Sequence, residues 1–163
     1  MANEVSSEKY LTFQIAEETY GISILKVREI IGLITITKIP HTPDFILGIV
    51  NLRGKVIPVV DMRTKFGFPY AEPTEQTCII VVDLGQFQAG IVVDSVSEVM
   101  NINQSNIEPP PAFGSEVDTS FIVGIGKLKE RVVLLLDIER VLSMGVDIDF
   151  IGSLTRQTAE DSQ

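Results

Sequence analysis

Apolar and polar residues alternate in short runs along the start of this chain. Leu11, Phe13 and Ile15 fall on one face of Tyr10–Ile15, and Tyr20, Ile22 and Ile24 on one face of Tyr20–Ile24. The polar stretch Ala16–Thr19 separates them, so a period-two hairpin is predicted. Val27, Ile30 and Ile31 suit helical spacing, whereas Val27, Glu29 and Ile31 suit a strand; the pattern leaves both open. Ile34–Ile39 reads as a strand. Pro40-His41-Thr42-Pro43 reads as a loop, because proline fixes φ and lacks a donor. Ile46–Arg63, ILGIVNLRGKVIPVVDMR, reads as two strands around a tight turn at Arg53-Gly54. Gly54 suits that turn because it reaches positive φ without a Cβ clash. Pro58, inside the second strand, is expected at an edge or a bulge. Asp61 is placed to cap a helical turn, Met62–Phe66, which Gly67 ends. Phe68–Glu75, with Pro69 and Pro73, is a linker.

The second half replays the first. Ile80, Val82 and Leu84 follow Leu11, Phe13 and Ile15 at a constant offset of 69, as do Ala89-Gly90-Ile91 after Tyr20-Gly21-Ile22 and Glu98-Val99 after Glu29-Ile30. Further on, Gly48, Leu52, Asp61 and Phe66 match Gly124, Leu128, Asp137 and Leu142 at an offset of 76. The extra seven residues are assigned to Asn101–Ser120, a loop holding Pro109-Pro110-Pro111, where an insertion costs little. The chain therefore divides into two similar β-units, about 10–67 and 76–143, each with about five strands and one helical turn. Small closed barrels solve the edge problem for such units. Val56–Val60, Ile79–Val82, Ile91–Val93 and Val132–Leu136 are apolar on both faces, which predicts a second buried surface against the sister barrel. Residues 1–9 are expected to form a flexible N-terminus. Apolar content thins after Met144, so 144–163 is expected to be a C-terminal tail, with the polar Thr155–Gln163 frayed.

Charge and composition narrow the function. A net charge of −9 opposes binding to nucleic acid or to an anionic membrane. The polar start has no apolar signal region and no apolar run reaches membrane-span length, so a cytoplasmic location is expected. One cysteine, Cys78, excludes an intrachain disulfide framework. His41 is the one histidine, placed in a Pro-rich loop with no flagged nucleophile, and the usual His/Cys metal site is excluded by count. Asp61, Asp83, Asp94 and Asp137 sit at strand ends, where capping is their usual role. Gly124–Gly126 lacks the third glycine of a dinucleotide loop. No enzyme and no cofactor are expected. Binding surface remains. Val27, Ile30 and Ile31 are either core or an outward apolar patch. Arg53 is either a solvated turn residue or an interface anchor on a rigid tip.

The run Gly48–Arg63, with Tyr20-Gly21-Ile22, Ile24–Val27, Glu29-Ile30 and Gly90–Asp94, resembles the bacterial chemotaxis coupling proteins of the CheW family over about Tyr10–Ser143. The resemblance implies an all-β fold of two intertwined five-stranded SH3-like β-barrels with short helical turns. It implies a non-enzymatic adaptor joining chemoreceptor cytoplasmic tips to the histidine kinase CheA, whose regulatory domain shares the fold. Carried over by position, Val27, Ile30, Arg53 and Val96 are expected to face the receptor. Glu29, Ile39, Gly48, Ile49, Val50 and Asn51 are expected to face the kinase. No receiver, phosphotransfer or ATP-binding region is present, which favours a stand-alone coupler. The alternatives are a double barrel that binds a small molecule in a polar pocket between its halves, and a β-barrel enzyme using Asp61 or Asp137.

Overall fold

Runs of β-branched and other aliphatic residues set the strands, and Asp and Gly set where they stop. The structure, a computed structural model, describes residues 7–110, 120–144 and 146–161. Its first half holds β1 (Ser7–Ile15), β2 (Glu18–Ser23), a 3-10 turn (Ile24–Lys26), β3 (Val27–Gly32), β4 (Ile46–Leu52), β5 (Lys55–Asp61) and α1 (Met62–Lys65). Its second half holds β6 (Cys78–Asp83), β7 (Gln88–Val93), β8 (Ser95–Asn103), a 3-10 turn (Gln104–Asn106), β9 (Ile107–Glu108), β10 (Ile122–Leu128) and β11 (Arg131–Leu136). Helices α2 (Ile138–Ser143) and α3 (Ile148–Asp161) follow.

The fold is all-β, two intertwined SH3-like barrels. One sheet runs β3-β6-β7-β5-β4 and the other β8-β1-β2-β11-β10-β9, where β9 contributes two residues as a sixth strand. The barrels do not follow the divisions 10–67 and 76–143. A central barrel spans 27–93, and a flanking barrel joins 7–23 to 95–136. Each half lends its first hairpin to the other half's barrel. Tyr20 pairs in parallel with Leu134, and Val59 in parallel with Gly90. The repeat itself permits this exchange, because the two hairpins carry the same apolar pattern and either fits either barrel.

The strands that are apolar on both faces serve two cores. In β6, Ile79 and Val81 point into the central barrel with Val50, Ile57 and Val59, while Ile80 and Val82 join the core between the barrels. In β11, Val133 and Leu135 fill the flanking barrel with Tyr10 and Ile102, while Leu136 joins the shared core. The shared core is the largest of the three and takes Leu11, Phe13 and Ile15 from β1. Phe13, Tyr20, Phe66 and Phe121 stack through it with successive ring centroids 6.0, 5.3 and 5.8 Å apart. Each fully buried aliphatic here stabilises by about 1.5–3 kcal/mol, so the shared core holds the two barrels together.

Several expectations change. The N-terminal strand begins at Ser7, which pairs with Asn103, so residues 7–9 are part of the sheet. Val27–Gly32 is a strand. Ile34–Ile39 is not; only Thr37 makes a bridge, to Ile49. Pro58 lies in an interior strand, opposite Ile49, and β5 begins pairing with β7 only at Val59, so its missing donor falls beside the end of that ladder. Asn101–Ile107 continues a strand and a turn, and 111–119 lies outside the described residues. After Met144 the chain is not a tail throughout. Ile148, Ile151 and Leu154 lie on one face of α3, and Ile151 and Leu154 are buried in the shared core. Three apolar residues at helical spacing suffice to dock it. The two capping aspartates act as expected: Asp61 accepts from the Arg63 N–H at 3.2 Å, and Asp137 from the Glu139 N–H at 3.1 Å.

Candidate protein-binding surface

The β4–β5 hairpin puts a cation at a rigid tip. Arg53 and Gly54 hold φ of 55° and 87°, the pair of positive values that a tight hairpin turn demands. Asn51 fixes this turn, its Oδ1 accepting from the Gly54 N–H at 2.8 Å. The exposed Arg53 guanidinium donates to Glu29 Oε2 on β3. That hydrogen bond and the carboxylate's charge push the Arg53 pKa further up, so the tip stays cationic. A register shift between Val27 and Glu29 aims the acid at the tip. Val27, Glu29, Leu52, Arg53, Lys55 and Gln88 line an open cleft of about 410 Å³.

The expected site residues separate into three groups. Val27, Glu29 and Arg53 meet in this cleft. Arg53, expected to face one partner, and Glu29, expected to face another, form one ion pair. Ile30 stands on the outer face of β3, 44% exposed, and continues into Leu33 and Ile34. Val96 occupies in β8 the position that Val27 occupies in the first half, and both pack half-buried against the shared core. Ile49 and Val50 are buried, with Val50 inside the central barrel, so neither side chain reaches a partner. Here a both-face apolar strand was read as surface. Gly48 has φ of 143°, and a Cβ there would stand 2.0 Å from the Thr37 carbonyl oxygen. It lets the 33–38 segment cross β4, and that is its role. Asn51 is exposed and Ile39 half-buried on the shared core. Leu52, Lys55 and Gln88 line the cleft but were not anticipated. Gln88 arrives with the β7 pairing, which the sequence pattern does not reveal. Leu25, 85% exposed on the 3-10 turn before β3, was also missed.

Elsewhere charge stitches the halves together. Arg63 Nε donates to both carboxylate oxygens of Asp94, at 3.0 and 3.2 Å, and Arg63 Nη1 to the Pro69 carbonyl at 2.7 Å. Asp94 Oδ2 also accepts from the Ala16 N–H at 2.8 Å. In the cleft between the halves, about 480 Å³, Arg63, Asp94 and the Ala16 N–H are thus already committed to one another. Lys26 pairs with Glu139 at 2.8 Å. Lys65 donates to the Met144 carbonyl and stands 3.7 Å above the Phe45 ring, and burial lowers its pKa. Among the described residues no group of His, Cys, Asp or Glu is placed to hold a metal ion. No helix among them is long and apolar enough to cross a membrane.

The model of the CheW-like domain matches residues 9–145. The chain belongs to the CheW family. It is 43% identical over 143 residues to the chemotaxis protein CheW of Klebsiella aerogenes, covering 88% of this chain and 86% of the relative. It is 36% identical over 134 residues to the CheW of Helicobacter pylori, covering 82% and 81%. The crystal structure of the scaffolding protein TtCheW from Thermoanaerobacter tengcongensis superposes with a TM-score of 0.78 at 38% identity, over 86% of this chain and 95% of that one. The CheW-like domain thus takes in both barrels and α2, and α3 lies beyond the matched residues.

Proposed function

We propose that this chain is a non-enzymatic cytoplasmic adaptor that couples the tips of chemoreceptors to the histidine kinase CheA. The observation that carries this reading is the Arg53–Glu29 pair. It is a charged, exposed, geometrically fixed anchor beside an open cleft, on a barrel whose own core needs neither side chain. Family membership supports the reading: the relatives are chemotaxis proteins, and the solved neighbour is a scaffolding protein. Receptor contact is assigned to Val27, Ile30 and Arg53 with Val96. Kinase contact is assigned to Ile39, Asn51 and the surface where Thr37 crosses β4. Glu29 belongs to both assignments, because moving it moves Arg53. An adaptor of this kind does no chemistry. It holds two partners in register, so that a shift in one changes the populations of the other.

The test is reconstitution. Kinase autophosphorylation is followed with CheA and a receptor cytoplasmic fragment from the same cell, with and without this protein. Receptor control of the kinase is expected only when it is present. Arg53→Glu should abolish that control while leaving the unfolding midpoint unchanged, and adding Glu29→Arg should restore part of it by remaking the pair. Normal coupling by Arg53→Glu, or an unfolded variant, removes the assignment of Arg53.

A further inference from the structure

The two halves exchange their first hairpins, and the ladders that result are equivalent by the repeat. Val59 pairs with Gly90 in the central barrel and Leu135 with Gly21 in the flanking one, related residue for residue by the offsets of 76 and 69. Val27 opposite Val82 and Phe13 opposite Val96 are related in the same way. Backbone pairing and apolar pattern therefore suit an unexchanged chain as well, with Val59 against Gly21 and Leu135 against Gly90. Something else has to decide between the two arrangements.

The charges at the two junctions do differ. Where β7 leads into β8, Asp94 meets Arg63 of α1, Nε to Oδ1 at 3.0 Å. Where β2 leads into β3, Lys26 meets Glu139 of α2, Nζ to Oε1 at 2.8 Å. Arg63 and Glu139 are equivalent at the offset of 76, and Lys26 lies one residue from the equivalent of Asp94. The same contact is thus made twice with opposite polarity. In an unexchanged chain Arg63 would face Lys26 and Glu139 would face Asp94, so both contacts would be like-charged. The helix caps Asp61 and Asp137 carry the same sign and weigh equally on both arrangements. The Arg63 and Asp94 side chains are 20% and 35% exposed, so solvent and salt screen a clash there less than at a free surface.

We propose that these two ion pairs of opposite polarity select the hairpin exchange. Each pair alone adds little stability, least of all Lys26–Glu139, whose side chains are nearly half exposed. What counts is the difference between the arrangements, in which two attractions become two repulsions. Like charges set opposite each other cost more than an exposed pair gains. The pairs therefore act on which fold forms more than on how stable it is. The selection is made as the chain folds and is independent of what the finished surface binds.

The test reverses the exposed pair alone. Lys26→Glu with Glu139→Lys leaves opposite charges in contact at both junctions of either arrangement. Asp94, which also accepts from the Ala16 N–H, is untouched. The full chain is refolded from urea and its strand pairing is read by methyl NOEs. Val59 to Gly90 and Leu135 to Gly21 mark the exchanged chain; Val59 to Gly21 and Leu135 to Gly90 mark the unexchanged one. The unaltered protein is expected to give the first set alone. The reversed variant should add the second set, its share rising by roughly tenfold or more over that in the unaltered protein. Lys26→Gln with Glu139→Gln loses one ion pair but keeps the Arg63–Asp94 contact, which only the exchanged chain can make, and should stay in the first set. Arg63→Glu with Glu139→Lys makes both observed contacts like-charged and both alternative ones opposite, so the second set should dominate. The first set alone in the reversed variant overturns the proposal, as does a second set in the glutamine variant. An unfolded reversed variant overturns it too, because its junction charges are paired in both arrangements.

Discussion

The two barrels carry equivalent hairpin tips with different chemistry. By the repeat offsets, Leu52, Arg53 and Lys55 correspond to Leu128, Lys129 and Arg131, and Val27 and Glu29 to Val96 and Glu98. In the central barrel the tip cation folds back onto its acid and leaves a smaller cleft. In the flanking barrel the acid is taken by Arg131 instead, the tip lysine stands free of both, and the cleft is wider with an apolar floor. The backbone positions have been kept while the tip side chains have diverged. The two halves therefore carry two tips of different chemistry, and each has to be argued from its own side chains.

Exchanging residues between equivalent positions tests how far the equivalence extends. The largest effect is expected at Gly48 against its partner Gly124. Gly48→Ala combines positive φ with a backbone collision at Thr37 and should cost upwards of about 4 kcal/mol. At Gly124 a Cβ meets Ile107 Cγ2 at 2.5 Å, a side chain on a two-residue edge strand that can shift. Gly124→Ala should therefore cost only about 1–3 kcal/mol. Equal losses in urea denaturation would erase this asymmetry. Next is α3, which follows the second unit and has no counterpart after α1. Leu154→Ala should cost about 2–4 kcal/mol, as in any buried core; a value near zero would return 144–163 to the status of a tail. The smallest effect compares the β1–β2 and β6–β7 turns. The first holds Ala16 and Glu17 at φ of 59° and 97°, where the second has Gly85 at 92°. Glu17→Gly should raise stability by about 0.5–1 kcal/mol, relieved strain outweighing the entropy of glycine. Gly85→Ala should lower it by a similar amount.

Much of the architecture could be read from spacing. The offsets of 69 and 76 matched both capping aspartates and both hairpin tips, and runs apolar on both faces marked the strands that serve two cores. Which hairpin enters which barrel could not be read, because the pattern of Leu11, Phe13 and Ile15 and that of Ile80, Val82 and Leu84 satisfy either barrel equally. Val27, Glu29 and Arg53, named as candidates from the apolar pattern, the hairpin tip and the family resemblance, meet in one cleft. Ile49 and Val50 were misplaced: in a strand buried on both faces, alternation no longer marks the outside. Helix α3 was missed because its few apolar residues lie among polar ones, which lowers the mean without losing the helical period. The pairing of Glu29 with Arg53, across 24 residues, depends on tertiary structure alone.

The exchanged hairpins also set an order of events on the ribosome. Residues 27–93 contain every strand of the central barrel, so that barrel can close while synthesis continues. The β1–β2 hairpin precedes that barrel in the chain yet pairs with β8 and with Leu134–Leu136 of β11, and must wait until β11 has been made. At roughly 5–20 residues per second this delay lasts several seconds or more. Throughout it, Leu11, Phe13 and Ile15 present an uncovered apolar face, the kind of surface that chaperones cover.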